Sequence, residues 1–215
     1  MERNSGARLL SGLIAALTVL GAWIMLTNHD TGILTVYGLS NLKFFTVQSN
    51  LLVGIVHLLA LLLPGRRLWL ERLSYVATTA VMLTFTVVVC FFGPALGYGE
   101  LFRGANLFFH LIIPLLSAAH LCVFRRNRPI SMGETAAALI PTVLYGTYYT
   151  AVLLVRGVHF PETDWYGFAA GGVVGSVITA AVILLLTWAL ALLLRLLSGG
   201  KARRRSMEKA GEGQR

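Results

Sequence analysis

Charged residues are scarce in this sequence, and that scarcity identifies its class. Of 215 residues, 13% are Asp, Glu, Lys or Arg, whereas an average soluble domain has roughly 25%. Apolar residues make up 56% of the chain, and the mean hydropathy is +0.74. So little charge excludes an ordinary soluble domain and indicates a membrane protein.

Acidic residues are the scarcer of the two signs. Nine Asp and Glu stand against eighteen Lys and Arg, which gives a formal net charge of +9. The basic residues flank apolar runs or follow the last of them, a placement that orients membrane helices and attracts anionic headgroups. The positive charge therefore does not require a nucleic acid, and we expect no nucleic-acid partner.

Six apolar runs reach the roughly 17–25 residues that a helix needs to cross the hydrocarbon core. They cover residues 9–27, 45–63, 74–92, 105–124, 134–155 and 167–197. The sequence thus predicts an all-α polytopic membrane protein, with six transmembrane helices in one bundle over 1–197. The first run is longer than a signal-peptide core, so we expect it to be retained. A basic, disordered cytoplasmic tail is predicted over 198–215.

Lys and Arg concentrate on one side of these spans. The N-terminus, the 64–73 and 125–133 loops and the tail carry most of them, and the opposite loops hold only Lys43, Arg103 and Arg156. The positive-inside rule therefore predicts that both termini are cytoplasmic. Trp165 and Tyr166 fit an aromatic belt at the outer interface.

Two cysteines, Cys90 and Cys122, fall near opposite ends of their spans. Such a difference in depth excludes a disulfide between them.

Polar side chains within three of the spans need partners, because hydrocarbon satisfies no hydrogen bond. At about 100° per residue they form one face of each helix. They are Thr46, Asn50 and His57 on the second span, Asn106, His110 and Ser117 on the fourth, and Thr142, Tyr145, Tyr149 and Arg156 on the fifth. At a rise of about 1.5 Å per residue, Thr46 and His110 fall in the outer third of the membrane, whereas His57 and His120 share an inner layer.

Three stretches, "LKFFTVQSNLL", "ANLFFH" and "YGTYYTAVLLVRGVHFPETDWYGF", resemble the androgen-induced and androgen-dependent integral membrane proteins and their bacterial relatives. The resemblance covers spans two to five. It implies an intramembrane hydrolase of fatty acid esters of hydroxy fatty acids that uses a Thr and a His, without a cofactor or metal. The family Thr matches Thr46 and the family His matches His110, four positions after Asn106. A location in a prokaryotic cell membrane, with the site in the outer half of the bilayer, follows from the same resemblance and topology.

A neutral imidazole can accept the proton of a threonine hydroxyl as it attacks an ester. We therefore expect Thr46 to be the nucleophile and His110 the general base and acid. The candidate oxyanion donors are Asn50, Tyr145 and Tyr149. Asn106 is expected to orient the imidazole. A substrate carboxylate would meet Arg156 or Lys43, and its acyl chains would lie in the apolar bundle.

Several alternatives remain open at this point. Ser49 is a competing nucleophile. His57 and His120, at one depth, have the residue types of a haem protein with two axial histidines. A small-lipid or solute transporter or binding protein is a further possibility, although no Asp, Glu, Lys or Arg lies near the middle of any span.

Overall fold

The computed structural model describes residues 2–27, 36–63, 67–124 and 129–212, with side chains described from residue 5 to residue 199 of these ranges. All regular structure in them is helical. Six helices are long and apolar enough to cross a membrane. They are α1 (Glu2–Thr27), α2 (Phe45–Leu62), α3 (Leu68–Leu96), α4 (Ala105–Phe124), α5 (Met132–Arg156) and α6 (Gly172–Glu212). The predicted all-α class and the six spans are confirmed, and they indicate an integral membrane protein.

Helix boundaries differ from the apolar runs where glycine or helix propensity matters. The sixth run begins at residue 167, but Gly167 and Gly172 have positive φ angles of 70° and 64°, so α6 starts at Gly172. At its other end α6 continues to Glu212, through the segment predicted to be a disordered tail. Most residues in 201–212 of that segment are Ala, Lys, Arg or Glu, which are favourable residues in a helix.

Each of α3 and α4 contains one widened, π-helical turn. In α3 the turn spans Val88–Phe92, and in α4 it spans Phe108–Ile112. A proline, Pro94 or Pro114, follows each turn at the same spacing. Because proline has no N–H, the usual bond to the carbonyl four residues earlier cannot form, and the ladder locally lengthens by one residue.

Contacts between helix ends define two ends of the bundle. At the lower end, Arg72 at the start of α3 donates to Glu134 at the start of α5, with an Nε–Oε1 distance of 3.0 Å. At the upper end, the N–H of Phe45 at the start of α2 donates to the hydroxyl of Tyr166, after α5, at 2.9 Å. Helices α3 and α5 therefore begin at the lower end, and α2 begins at the upper end.

The core lies where α1, α2, α3 and α4 meet. Ile14, Val53, Val81 and Ile113 are almost completely buried there. Gly54 allows α1 to approach α2, because a Cβ at this position would overlap the Thr18 side chain. Helices α5 and α6 lie beside this core, and a cavity lies between the two groups.

Cys90 and Cys122 form no disulfide with each other, as their depths predicted.

Candidate active site

A cavity of about 560 Å³ lies at the upper end of the bundle, within the size range of small-molecule sites. Most of its wall is apolar, from Phe44, Leu83, Val87, Phe92 and Phe168 among others. Its polar lining residues include Thr46, His110, Tyr145, Tyr149 and Tyr166. Both members of the predicted pair, Thr46 and His110, therefore line the same space, although they come from α2 and α4.

The cavity opens sideways between α5 and α6. Gly146, Thr150 and Leu154 of α5 line it on one side, and Ala180 of α6 lines it on the other. All four are exposed, and Leu154 is 81% exposed. In a membrane this opening would face the acyl chains of lipid.

Thr46 occupies the first turn of α2, where a short segment fixes the direction of the chain. The preceding 3-10 turn, Gly38–Lys43, is organised by Asn41, which is 2% exposed. The Asn41 amide donates to the carbonyls of Val36 and Gly38, and its side-chain oxygen accepts from the N–H of Val36. Thr46 itself is half-buried and borders the cavity.

His110 lies on the π-helical turn of α4, and its imidazole is 2% exposed. Its Nδ1 is 2.6 Å from the carbonyl oxygen of Leu101. A carbonyl can only accept, so Nδ1 carries the hydrogen and Nε2 of the neutral ring is an acceptor. The orienting group is therefore this backbone carbonyl. Asn106, which the sequence predicted for that role, does not line the cavity.

Asn50 links the first turn of α2, which contains Thr46, to the turn of α4 that contains His110. Its side-chain Nδ2 donates to the carbonyl of Thr46 at 2.7 Å and to the carbonyl of Phe109 at 2.9 Å. Both amide hydrogens are thus used, Asn50 is 0% exposed, and it does not line the cavity. This arrangement does not support its predicted role as an oxyanion donor. Asn50 instead holds the backbone beside Thr46 against the residue preceding His110.

The hydroxyls of two tyrosines that line the cavity already donate hydrogen bonds within the protein. Tyr145 donates to the carbonyl of Lys43 at 2.7 Å, and Tyr149 donates to the carboxylate of Asp164. A phenol has one proton to donate. Tyr145 and Tyr149 therefore shape the wall, and the predicted oxyanion role does not fit their hydrogen bonds.

Trp165 and Tyr166, the residues of the predicted aromatic belt, both contact other parts of the protein. Trp165 is 4% exposed and donates its indole N–H to the Tyr145 hydroxyl at 2.9 Å. Tyr166 lines the cavity beside Thr46, and its hydroxyl accepts from the N–H of Phe45, the residue before Thr46, at 2.9 Å. Sequence reasoning missed this role, because the residue lies between two spans and the folding of that connection depends on distant partners.

Asp164 holds this connection in place. It is 2% exposed, accepts from Tyr149, and accepts from the N–H of Ala169 at 3.1 Å. A buried carboxylate needs such donors. The only indication of this role in the sequence was the position of Asp164 directly before Trp165 and Tyr166.

The two predicted carboxylate-binding cations do not line the cavity. Arg156 is exposed at the end of α5. The Lys43 ammonium lies 5.4 Å and 5.3 Å from the ring centres of Phe44 and Trp165, close enough for cation–π attraction. Burial lowers the pKa of Lys43, and the nearby Glu162 opposes that shift.

Ser49, the alternative nucleophile, does not line the cavity. It is 2% exposed, donates to the carbonyl of Thr46 at 3.1 Å, and lies 3.4 Å from the hydroxyl of Thr84 on α3. The geometry therefore favours Thr46 over Ser49.

His57 and His120 do meet at the lower end, but around a hydroxyl. Ser11 Oγ is 3.1 Å from His57 Nδ1 and 3.1 Å from His120 Nε2. The two rings lie edge to face, with centres 4.7 Å apart. Axial haem ligands instead stand on opposite faces of a porphyrin with the iron between them. This geometry leaves no place for a haem between these rings.

Within the described residues, no group of three or more His, Cys, Asp or Glu side chains is arranged to hold a metal ion.

Comparisons of the chain with protein-family models, with curated proteins and with solved structures gave no match. The described fold and site thus define a six-helix integral membrane protein with a laterally open cavity that contains a threonine and a histidine.

Proposed function

We propose that this protein is an intramembrane hydrolase of lipid esters, with Thr46 as nucleophile and His110 as general base and acid. One observation carries the proposal: a threonine hydroxyl and an imidazole with an uncommitted Nε2 border the same apolar cavity. Polar groups that already form hydrogen bonds within the protein hold helices together in a bilayer. Polar groups at a cavity that have no such partner are available for chemistry.

In the proposed reaction, His110 accepts and then donates each proton that is transferred. Thr46 Oγ1 forms a bond to the ester carbonyl carbon, His110 Nε2 takes the hydroxyl proton, and the carbonyl π pair moves onto oxygen. Collapse breaks the bond to the alcohol oxygen, and His110 gives that oxygen its proton. Water then adds to the acyl-threonine with His110 again as base. This second step releases the carboxylic acid and restores the Thr46 hydroxyl.

The cavity also supports a choice of substrate class. Its mostly apolar wall and its opening between α5 and α6 fit an ester with long acyl chains that enters from lipid. Esters of hydroxy fatty acids, the type implied by the family resemblance, meet this description. With the termini in the cytoplasm, as the Lys and Arg distribution predicts, the cavity would lie in the outer half of the bilayer.

Hydrolysis of a panel of esters by the purified protein in lipid nanodiscs tests the proposal. The panel contains a fatty acid ester of a hydroxy fatty acid, a triacylglycerol and a short-chain ester. Thr46→Ala and His110→Ala should lower turnover by roughly 10²-fold or more. Thr86→Ala is a matched control, because that hydroxyl donates to the Met82 carbonyl at 2.8 Å and lies outside the cavity lining.

Wild-type turnover in folded Thr46→Ala protein would overturn the proposal. Tight binding of these lipids in the cavity without hydrolysis of any of them would also overturn the proposal, because that result identifies a lipid-binding protein.

A further inference from the structure

Tyr166 differs from the other tyrosines of the cavity in what its hydroxyl proton can reach. Tyr145 and Tyr149 donate to a backbone carbonyl and to a carboxylate, respectively. The Tyr166 oxygen accepts from the Phe45 N–H at 2.9 Å, and Tyr166 lines the same cavity as Thr46 and Tyr145. A substrate oxygen formed beside Thr46 can therefore compete for this proton.

The same hydroxyl lies at the N-terminus of α2. Phe45 is the first residue of that helix, and Thr46 is the second. The first N–H groups of a helix have no partner within it and give this end a partial positive charge. Negative charge that develops next to Thr46 would thus meet both the Tyr166 hydroxyl and the positive end of α2.

The ring of Tyr166 is held rigidly. It stacks on Phe168 with a centre distance of 5.0 Å and meets Phe44 edge to face at 5.8 Å. Asp164, two residues earlier, anchors the same connection through Tyr149 and the Ala169 N–H. Burial raises the pKa of Tyr166 to about 12, so the phenol keeps its proton at neutral pH. A donor that is fixed in advance needs no reorganisation during reaction.

We propose that Tyr166 is a catalytic residue, the hydroxyl that donates a hydrogen bond to the oxyanion when Thr46 attacks the ester. The inference rests on the proposed hydrolase function and extends it to a residue outside the spans. The hydrogen bond forms as the carbonyl π pair moves onto oxygen and is lost when the tetrahedral centre collapses. Tyr166 keeps its proton throughout, because His110 carries the proton transferred between Thr46 and the alcohol.

Tyr166→Phe is the decisive variant, because it removes one oxygen and keeps the ring. We expect kcat to fall roughly 10²- to 10³-fold, as for other single oxyanion donors, with KM nearly unchanged. Tyr75→Phe is the matched control. Its hydroxyl donates to the Ala191 carbonyl at 2.7 Å in the buried core away from the cavity, so kcat should stay at the wild-type value.

A second measurement separates catalysis from structure. A phosphonate that forms a tetrahedral adduct with Thr46 should inactivate Tyr166→Phe more slowly than wild type by a factor similar to the loss in kcat. An unreactive ether analogue of the ester should bind both proteins equally. A merely structural residue would weaken both ligands alike.

The two proposals fail in different ways. Wild-type kcat in Tyr166→Phe, together with an inactive Thr46→Ala, overturns the role of Tyr166 and leaves the hydrolase in place. Equal weakening of phosphonate and ether binding also overturns it. An active Thr46→Ala overturns the hydrolase function itself.

Discussion

The hydrogen bonds of individual residues separate architecture from chemistry in this protein. The amide of Asn50 and the hydroxyls of Tyr145 and Tyr149 are committed to acceptors within the fold. His110 uses Nδ1 on a carbonyl and leaves Nε2 as an acceptor. In hydrocarbon an unpaired polar group costs several kcal/mol. Residues with a remaining donor or acceptor at a cavity are therefore the strongest candidates for function.

Asn50→Ala should both destabilise the protein and slow it. Losing two hydrogen bonds from one buried amide should cost about 1–3 kcal/mol of unfolding free energy. Because the amide holds the Thr46 turn beside the His110 turn, kcat should fall as well. Denaturant unfolding in detergent and ester turnover measure the two effects.

Asn50→Asp distinguishes this account from a packing effect. A carboxylate can accept but cannot donate to the carbonyls of Thr46 and Phe109, so this nearly isosteric change should destabilise at least as much as Asn50→Ala. Wild-type stability in Asn50→Asp would contradict the role given to the amide.

At the scale of elements, the widened turns of α3 and α4 position the upper end of the cavity. Val88 and Phe92 bound the turn in α3, and His110 lies at the centre of the turn in α4. Each π-helical turn contains one extra residue. The side chains after the turn are therefore rotated about the helix axis relative to those before it. His110 thereby reaches the Leu101 carbonyl beyond the helix start.

The lateral opening between α5 and α6 predicts a selective effect of bulk. Ala180→Trp should obstruct the opening, and kcat/KM should fall much more for a long-chain ester than for a short-chain ester. Val177→Trp is the control, because Val177 is 64% exposed on α6 and does not line the cavity. Kinetics with a series of chain lengths measures the difference, and equal losses for all lengths would contradict this route.

The sequence predicted elements better than it predicted contacts between them. Apolar runs located all six helices, and α4 begins and ends where its run does, at Ala105 and Phe124. Periodicity and depth also brought Thr46 and His110 to one level. The groups that complete the site were not predictable in this way: the Leu101 acceptor depends on a π-helical turn, and Tyr166 depends on a connection anchored by Asp164.

At the scale of the whole molecule, two sets of polar side chains in the described residues lie in separate layers of the bundle. The upper layer surrounds the cavity, and the lower layer is the Ser11, His57 and His120 cluster that joins α1, α2 and α4. The lower cluster is internally hydrogen-bonded and lies outside the cavity lining. Its arrangement fits a structural role, in which hydrogen bonds hold neighbouring helices together, as polar side chains commonly do in membrane bundles.

Ser11→Ala tests this division. It removes both hydrogen bonds of the cluster and should lower the free energy of unfolding by about 1–2 kcal/mol. Turnover at saturating ester should stay at the wild-type value, because the cluster does not reach the cavity. A large loss of kcat with unchanged stability would show instead that the two layers are coupled in catalysis.

The central claim is that Thr46 becomes covalently acylated, and mass spectrometry of the trapped protein tests it most directly. A lipid fluorophosphonate reacted with wild-type protein should add one adduct, which peptide mapping places on Thr46. Thr46→Val, an isosteric change without the hydroxyl, should remain unlabelled, and Thr46→Ser should be labelled. An adduct on Ser49, or equal labelling of wild type and Thr46→Val, would contradict the account.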